Sequence, residues 1–127
     1  MIKDNIFGGY SSISWKSENG NWNYAISSFL FTLTNIHDTP PTKFPNTQYQ
    51  ENAVYHHKNY GPWFGNGHDL VIPDNYLNNN KSWSDLGTAY PHVLGKGRSV
   101  FTGDINNNNN RIIIKEFEVF KLKKIIK

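Results

Sequence analysis

The chain contains no cysteine, and no run of apolar residues approaches the length of a membrane-spanning helix. The first absence excludes disulfides, thiolate metal sites and cysteine nucleophiles, and it fits a reducing compartment. The second excludes a membrane span, and the polar residues ahead of Gly8-Gly9 do not form the apolar core of a signal peptide. We therefore expect a cytoplasmic protein.

Charge is also scarce, at 18% of the residues, and its positive excess is local. Residues 111–127 carry a net charge of +4, whereas the whole chain carries +3, so residues 1–110 have a net charge of −1. Nucleic-acid-binding domains usually spread basic residues over a face, whereas lysines near one end more often protect an exposed strand. We expect no nucleic-acid partner.

What the chain does contain is aromatic and asparagine residues. With 15% aromatic and 37% hydrophobic residues, a chain of 127 residues forms one globular domain, residues 1–127. Of its 18 asparagines, eight stand in runs at 78–80 and 106–110. Such runs bury no apolar area, so we interpret them, and 106–110 in particular, as loop insertions.

Short apolar runs separated by turn residues predict a mainly β domain. Residues 28–34 are apolar on both faces of an extended segment, which predicts a central strand covered on both sides. Asn19-Gly20 predicts a turn, the prolines leave little room for a helix between 36 and 68, and 81–90 is expected to be irregular. Further strands are predicted at 6–7, 10–15, 69–72, 99–104 and 111–122. The default packing is an antiparallel sandwich of two sheets.

Two adjacent histidines, His56 and His57, precede His68-Asp69 and suggest a metal site. Adjacent residues of an extended segment point to opposite sides, so His56 and His57 need a turn between them to ligate one ion. We expect no metal, no other cofactor and no catalysis. A metal-dependent enzyme that uses His56, His57, His68 or Asp69 is the alternative.

The segment from Tyr60 to Leu70 combines aromatic residues with a Gly-x-Gly pattern at Gly65 and Gly67. A phosphate-binding loop needs a following helix, which the sequence does not predict here. Structurally, the glycines allow a tight bend and Trp63 and Phe64 fill apolar surface; a recognition loop is the alternative. Exposed tryptophans would also suit carbohydrate stacking, with these candidates: Trp15, Trp22, Trp63 and Trp83.

Four segments occur in a fixed order that is more specific than any one of them. They are Ile6-Phe7-Gly8-Gly9-Tyr10 with Ser14-Trp15, Phe29-Leu30-Phe31-Thr32-Leu33, Tyr60-Gly61-Pro62 through Phe64-Gly65-Asn66-Gly67-His68-Asp69-Leu70, and Ile114-Lys115-Glu116-Phe117-Glu118-Val119-Phe120. This set, which covers most of residues 6–122, resembles the TLDc domain family, and specifically its asparagine-rich members from amoebae and other protists.

The resemblance implies a two-sheet antiparallel β-sandwich with a few short helices and no catalytic mechanism. It also implies protection against oxidative stress, and binding to and regulation of the vacuolar proton-pumping ATPase. The interaction surfaces expected from it are the loop from Trp63 to Asp69 and the edge of the final strand. The residues of the interaction or structural motif are then Phe7, Gly8, Gly9, Tyr10, Trp15, Trp63, Phe64, Gly65, Gly67, His68, Asp69 and Glu118.

The chain departs from the family at its start. The family has a helical stretch and an early strand before the Phe-Gly-Gly-Tyr motif, whereas Met1 stands six residues ahead of Phe7. We therefore expect a domain that is incomplete at its N-terminal side. Unpaired buried backbone groups cost about 1–3 kcal/mol each, so we expect the chain either to self-associate through strand edges or to borrow the missing part from another chain.

Overall fold

We describe the protein from a computed structural model, in residues 4–16, 19–58, 60–73, 82–104, 106, 110–114 and 116–120. The strands are β1 (Ile6–Tyr10), β2 (Asn19–Asn23), β3 (Phe29–Thr34), β4 (Thr42–Pro45), β5 (Val54–His57), β6 (Trp63–Phe64) and β7 (Leu70–Val71). A 3₁₀ turn (Gln50–Asn52) precedes β5, and a short helix, α1, spans Ser99–Thr102.

The strands form two antiparallel sheets, which confirms the predicted mainly β fold. The three-stranded sheet has the order β1-β3-β4 and the four-stranded sheet the order β2-β5-β6-β7. β3 is central in its sheet, as its apolar sequence predicts, and Leu30 and Thr32 are buried on its inner face. The outer face is only half covered, since Leu33 remains 46% exposed.

The core lies between the two sheets, as expected of a β-sandwich. Its side chains come from both sheets, from α1 and from the connecting segments, and the largest of them include Leu30, Phe44, Val54, Phe64, Leu70, Tyr90 and Phe101. Gly9 marks the closest approach, because a Cβ added to it would lie 2.6 Å from the Phe64 ring and 3.0 Å from Leu30. Only glycine lets β1 lie this close to the opposite sheet.

The strand predicted at 99–104 is wrong, since this segment contains α1. Gly103, at a φ of 74°, ends the helix and donates its N–H to the Ser99 carbonyl. Phe101 is buried between Phe7 and Phe44, with ring centroids 5.1 and 5.5 Å away. The three apolar or β-branched residues from Val100 to Thr102 fit a strand or a helix by periodicity, and the tertiary contacts of Phe101 selected the helix.

The long final strand predicted at 111–122 is also wrong in the described residues, where Arg111 forms a single bridge with Trp83 and no strand follows. Ile112 is buried, but Ile113 is 90% exposed and Phe120 is 76% exposed. An alternating apolar pattern becomes a strand only where a neighbouring strand offers its backbone. The edge of a final strand, expected above as an interaction surface, is therefore absent from this part of the chain.

Two local predictions fail near the N-terminus. Asn19 and Gly20 begin β2 instead of forming a turn, and Gly20, at a φ of 107°, falls at a shift in the pairing with β5. The strand predicted to reach residue 15 ends at Tyr10, because the Ser12 N–H donates to the Ser28 hydroxyl instead of to a neighbouring strand.

The sequence analysis also missed β4, β5 and β6. Residues 82–90 are irregular apart from the bridge at Trp83, as predicted. Most of the asparagine run at 106–110 lies outside the described residues.

Candidate interaction surface

Asp69 is fully buried at the end of the loop between β6 and β7. Its carboxylate accepts hydrogen bonds from four consecutive backbone N–H groups, with distances of 3.2 Å to Gly87 and 3.0 Å to each of Thr88, Ala89 and Tyr90. The Asp69 carbonyl accepts a further bond of 2.7 Å from the Ser84 hydroxyl. We call this arrangement the Asp69 clasp, because it ties the loop before β7 to residues 84–90.

Burial raises the pKa of the Asp69 carboxyl above its ordinary value of 3.8, and the four N–H donors oppose that rise. The neighbouring Tyr90 hydroxyl is also buried and donates a hydrogen bond of 2.7 Å to the Ala53 carbonyl. Its pKa is raised, mainly by burial and further by the Asp69 charge. Both oxygens of Asp69 are thus committed to the backbone, which gives the residue a structural role.

The two glycines of the Gly-x-Gly pattern make room for this clasp. Gly65 has a φ of 82°, and a Cβ there would lie 2.1 Å from the Asp69 Oδ1 atom. A Cβ on Gly67 would lie 2.1 Å from the Thr88 hydroxyl oxygen. The spacing Gly65-x-Gly67-x-Asp69 is therefore the requirement of one backbone fold, with no phosphate or metal needed to explain it.

Strand alternation separates the two adjacent histidines, as expected from the sequence. His56 is buried on the inner side of β5 against Trp15, at 5.2 Å between ring centroids. His57 lies on the outer side, 4.5 Å from the Tyr60 ring. His68 is apart from both and contacts Trp63 at 4.9 Å. Within the described residues, no group of three or more His, Asp or Glu side chains could hold a metal ion.

The outer face of the four-stranded sheet carries a continuous set of rings. Trp22 of β2 lies 4.8 Å from Tyr55 of β5, and Tyr55 lies 4.8 Å from Trp63 of β6. Tyr60 joins the set at 5.6 Å from Trp63 and is 47% exposed. We define the aromatic surface as these rings with their two neighbouring imidazoles: Trp22, Tyr55, His57, Tyr60, Trp63 and His68.

An open groove of about 230 Å³ adjoins the aromatic surface. It is lined by Lys16, by Tyr60 and Pro62, and by the side chains at the end of β5. Trp63 is fixed at the border of the surface because its indole N–H donates 3.3 Å to the Gly65 carbonyl. The Asp69 clasp and the aromatic surface thus share one loop, and the first holds the second in place.

The structure divides the predicted motif residues among four places. Phe7, Gly8, Gly9 and Tyr10 lie in β1 of the other sheet, where Gly8 lies under the Phe31 ring and Tyr10 packs on Phe29. Trp15 packs edge-on against Phe64, on the inner side of the four-stranded sheet. Trp63 and Phe64 form β6, and Gly65, Gly67, His68 and Asp69 lie in the loop that follows it. Glu118 is exposed and lies outside any strand.

The sequence analysis missed Tyr55, named Tyr60 only as the start of the segment from Tyr60 to Leu70, and considered Trp22 only as a sugar platform. The alternation of Tyr55 and His57 was a usable signal that both face one side of a strand. The sequence alone does not predict that Trp22 lies opposite Tyr55, because the register of β2 with β5 is set by the pairing of the two strands. Of the four tryptophans, Trp22 and Trp63 come together, at 6.1 Å.

The described residues contain no helix that could cross a membrane by length and apolar character. They define a two-sheet β-sandwich. In it the Asp69 carboxylate accepts hydrogen bonds from the backbone, and the aromatic surface is partly exposed to solvent. The model of the TLDc domain family matches residues 2–123, so the chain belongs to that family. No curated protein and no solved structure matches it.

Proposed function

We propose that this chain is a non-catalytic interaction module of the cytoplasm that binds a subunit of the vacuolar proton-pumping ATPase. Membership of the TLDc family supports the interaction role and the choice of partner. The observation that carries the site is the aromatic surface, since half-exposed Trp and Tyr residues are enriched in protein interfaces. The Asp69 clasp supports it by holding the Trp63 loop rigid, which lowers the entropy cost of binding.

The partner is tested by measuring binding of the immobilised chain to purified soluble pump subcomplex. Tyr60→Ala removes an exposed ring of the aromatic surface and is expected to weaken binding at least about tenfold, or 1.4 kcal/mol. The matched control is Tyr24→Ala, which removes a similarly exposed ring, 53% against 47%, that lies beside Gln50. Wild-type chain that fails to bind pump at micromolar concentration rejects the partner, and equal loss in both variants rejects the site.

Resistance to oxidative stress is the cellular part of the proposal. Cells that lack their own TLDc proteins should survive peroxide better when they express the wild-type chain than when they express Tyr60→Ala. Expression levels of the two must match, because a destabilised variant would lose protection for an unrelated reason. Equal survival of both cell lines at equal expression would show that stress resistance does not depend on the aromatic surface.

Carbohydrate binding is a second candidate, favoured by the partly exposed pair Trp22 and Trp63. Sugar rings stack on aromatic faces, and each ring of this pair borders solvent. Intrinsic tryptophan fluorescence across a glycan panel tests it. A saturable change that Trp22→Phe abolishes supports the second candidate, and an unchanged spectrum with every glycan rejects it.

A further inference from the structure

The chain contains two Asn-Gly dipeptides, Asn19-Gly20 and Asn66-Gly67. Asparagine is a thermolabile residue, and it is most reactive before glycine, which has no Cβ to hinder attack of its backbone nitrogen on the asparagine side chain. Both asparagines are exposed to solvent. Any difference in their reactivity in the folded chain therefore comes from how the backbone holds each dipeptide.

Asn66-Gly67 forms the tip of the loop between β6 and β7. The turn is closed by the His68 N–H, which donates a hydrogen bond of 3.0 Å to the Gly65 carbonyl. Among the hydrogen bonds of the described residues, none involves the Asn66 side chain or the Gly67 N–H. The two groups that react in deamidation, the Asn66 carboxamide and the Gly67 nitrogen, are thus both available.

Asn19-Gly20 is held in β2 instead. Asn19 pairs with His57 of β5, and Gly20 has a φ of 107°. A Cβ added to Gly20 would overlap the Tyr55 hydroxyl, so the backbone lies directly against that side chain. Rotation of this dipeptide requires local opening of the pairing between β2 and β5. The strand protects Asn19, whereas the turn leaves Asn66 accessible.

We propose that Asn66 of the folded chain is a site of spontaneous deamidation, and that its isoaspartate product opens the Asp69 clasp. The Gly67 nitrogen bonds to the Asn66 Cγ atom, and the side-chain nitrogen leaves as ammonia with the proton that Gly67 loses. Water then adds to a carbonyl carbon of the succinimide ring, and the bond from that carbon to the ring nitrogen breaks. Addition at Cγ gives aspartate, and addition at the main-chain carbonyl gives isoaspartate.

Isoaspartate routes the backbone through the side chain and so adds a carbon atom to the loop before Gly67. The loop has no room for it, because a Cβ on Gly65 would overlap the Asp69 carboxylate and a Cβ on Gly67 would overlap the Thr88 hydroxyl. The longer backbone displaces the turn from both contacts. Asp69 follows directly in the chain, so its bonds to the N–H groups of residues 87–90 are weakened.

The rates at the two sites are compared by peptide mapping with mass spectrometry of chain kept at physiological temperature and pH. In the folded chain we expect Asn66 to deamidate at least about tenfold faster than Asn19, which reacts only from an opened state. In guanidinium chloride the two rates are expected to lie within about threefold of each other, because both dipeptides are then unpaired. Isoaspartyl methyltransferase with labelled S-adenosylmethionine detects isoaspartate at position 66.

The effect on the clasp is measured after aged chain has been separated by charge. We expect a lower urea midpoint for the isoaspartate fraction than for the unmodified fraction. Freshly prepared Asn66→Asp carries the same charge without the added backbone carbon and is expected to stay near the unmodified midpoint. Asn66→Gln is expected to resist ageing, because its longer side chain forms the cyclic imide slowly. The matched control, Asn19→Gln, is expected to age like the wild type.

Three results would overturn the inference. The first is an Asn66 rate in the folded chain that does not exceed the Asn19 rate. The second is deamidation at Asn66 without isoaspartate, or an isoaspartate fraction with an unchanged urea midpoint. The third is a midpoint of fresh Asn66→Asp as low as that of the isoaspartate fraction, because charge alone would then open the clasp. None of these measurements uses the proton pump, so the inference stands or falls independently of the proposed function.

Discussion

Asp69 illustrates how neighbouring groups decide the role of a side chain. Next to His68 in the sequence, it was a candidate metal ligand or catalytic carboxylate. In the fold its oxygens accept four backbone N–H groups from residues 87–90, and His68 points its ring toward Trp63. A fully buried carboxylate whose side-chain hydrogen bonds come from backbone N–H groups stabilises a loop and is shielded from solvent.

Replacement of Asp69 by asparagine tests this role at the residue scale. Asn is neutral and places an NH₂ group where the second carboxylate oxygen accepts from Ala89, so that bond and the charge that strengthens the bonds from Gly87 to Tyr90 are lost. We expect Asp69→Asn to lower the free energy of unfolding by about 2–4 kcal/mol in urea denaturation. Asp85→Asn is the control. It removes a half-exposed carboxylate 3.5 Å from Arg98 and is expected to change stability by less than about 0.5 kcal/mol.

The glycine pattern gives a second prediction at this scale. Gly65 and Gly95 both have positive φ, at 82° and 67°, but a Cβ meets Asp69 only at Gly65 and finds nothing within 4 Å at Gly95. Gly95→Ala is expected to cost about 1 kcal/mol from backbone strain alone. Gly65→Ala is expected to cost at least about 2 kcal/mol more, because it also displaces Asp69 from the clasp. Equal urea midpoints for the two variants contradict the clasp as the reason for the glycine.

At the scale of elements, the side chains of β5 point alternately to the core and to the outer face of the sheet. Its buried residues Val54 and His56 face the core, and Tyr55 and His57 face outward. The aromatic surface then forms because β2 lies on one side of β5 and β6 on the other. Alternation within β5 is a local property that the sequence predicts, whereas its two neighbours join it from distant parts of the chain.

The helix α1 is anchored by a polar contact that makes stability depend on pH. The Ser99 hydroxyl donates a hydrogen bond of 2.7 Å to the Lys96 carbonyl. Because its one proton is used there, the hydroxyl oxygen accepts a second hydrogen bond, also of 2.7 Å, from the His37 Nε2–H. Burial, and secondly the Lys96 charge, lower the pKa of His37 below 6.5. The unfolded chain then binds a proton more readily than the folded one. The contribution of His37 to stability is present above pH 6.5 and is lost as the pH falls through the lower pKa of the folded state.

We therefore expect the urea midpoint of the wild type to fall between about pH 7 and pH 5, with a smaller fall in His37→Gln. At about pH 8 the imidazole is neutral in both states, so the variant there reports only the change in hydrogen bonding. That measurement serves as the control for the substitution itself. An unchanged pH dependence in His37→Gln shows that another group is responsible.

At the scale of the whole molecule, the two sheets share one core but differ in how firmly each strand is held. β3 is paired on both sides by β1 and β4, and β5 on both sides by β2 and β6. We expect the amides of β3 and β5 to exchange most slowly with solvent, and those of β1 to exchange through local opening. Hydrogen exchange followed by mass spectrometry checks this order. Protection of β1 equal to that of β3 in dilute, monomeric chain contradicts it.

The mainly β class, the central position of β3 and the irregular segment before Tyr90 were accessible from the sequence. They follow from period-two alternation, from apolar residues on both faces, and from glycine and proline as breakers. α1 and the region after Arg111 were not accessible. In both, short apolar runs fit more than one backbone conformation, and contacts with Phe7, Phe44 and Trp83 selected one of them.

By itself, the sequence determined the class of the fold and the separation of His56 from His57, because these depend on local stereochemistry. Only the tertiary structure decided that Asp69 would be held by residues 87–90 and that Trp22 would lie beside Tyr55. The physical reason is that strand pairing and burial join residues far apart in the chain. Register and neighbours are set by the free energy of the whole core and not by any one segment.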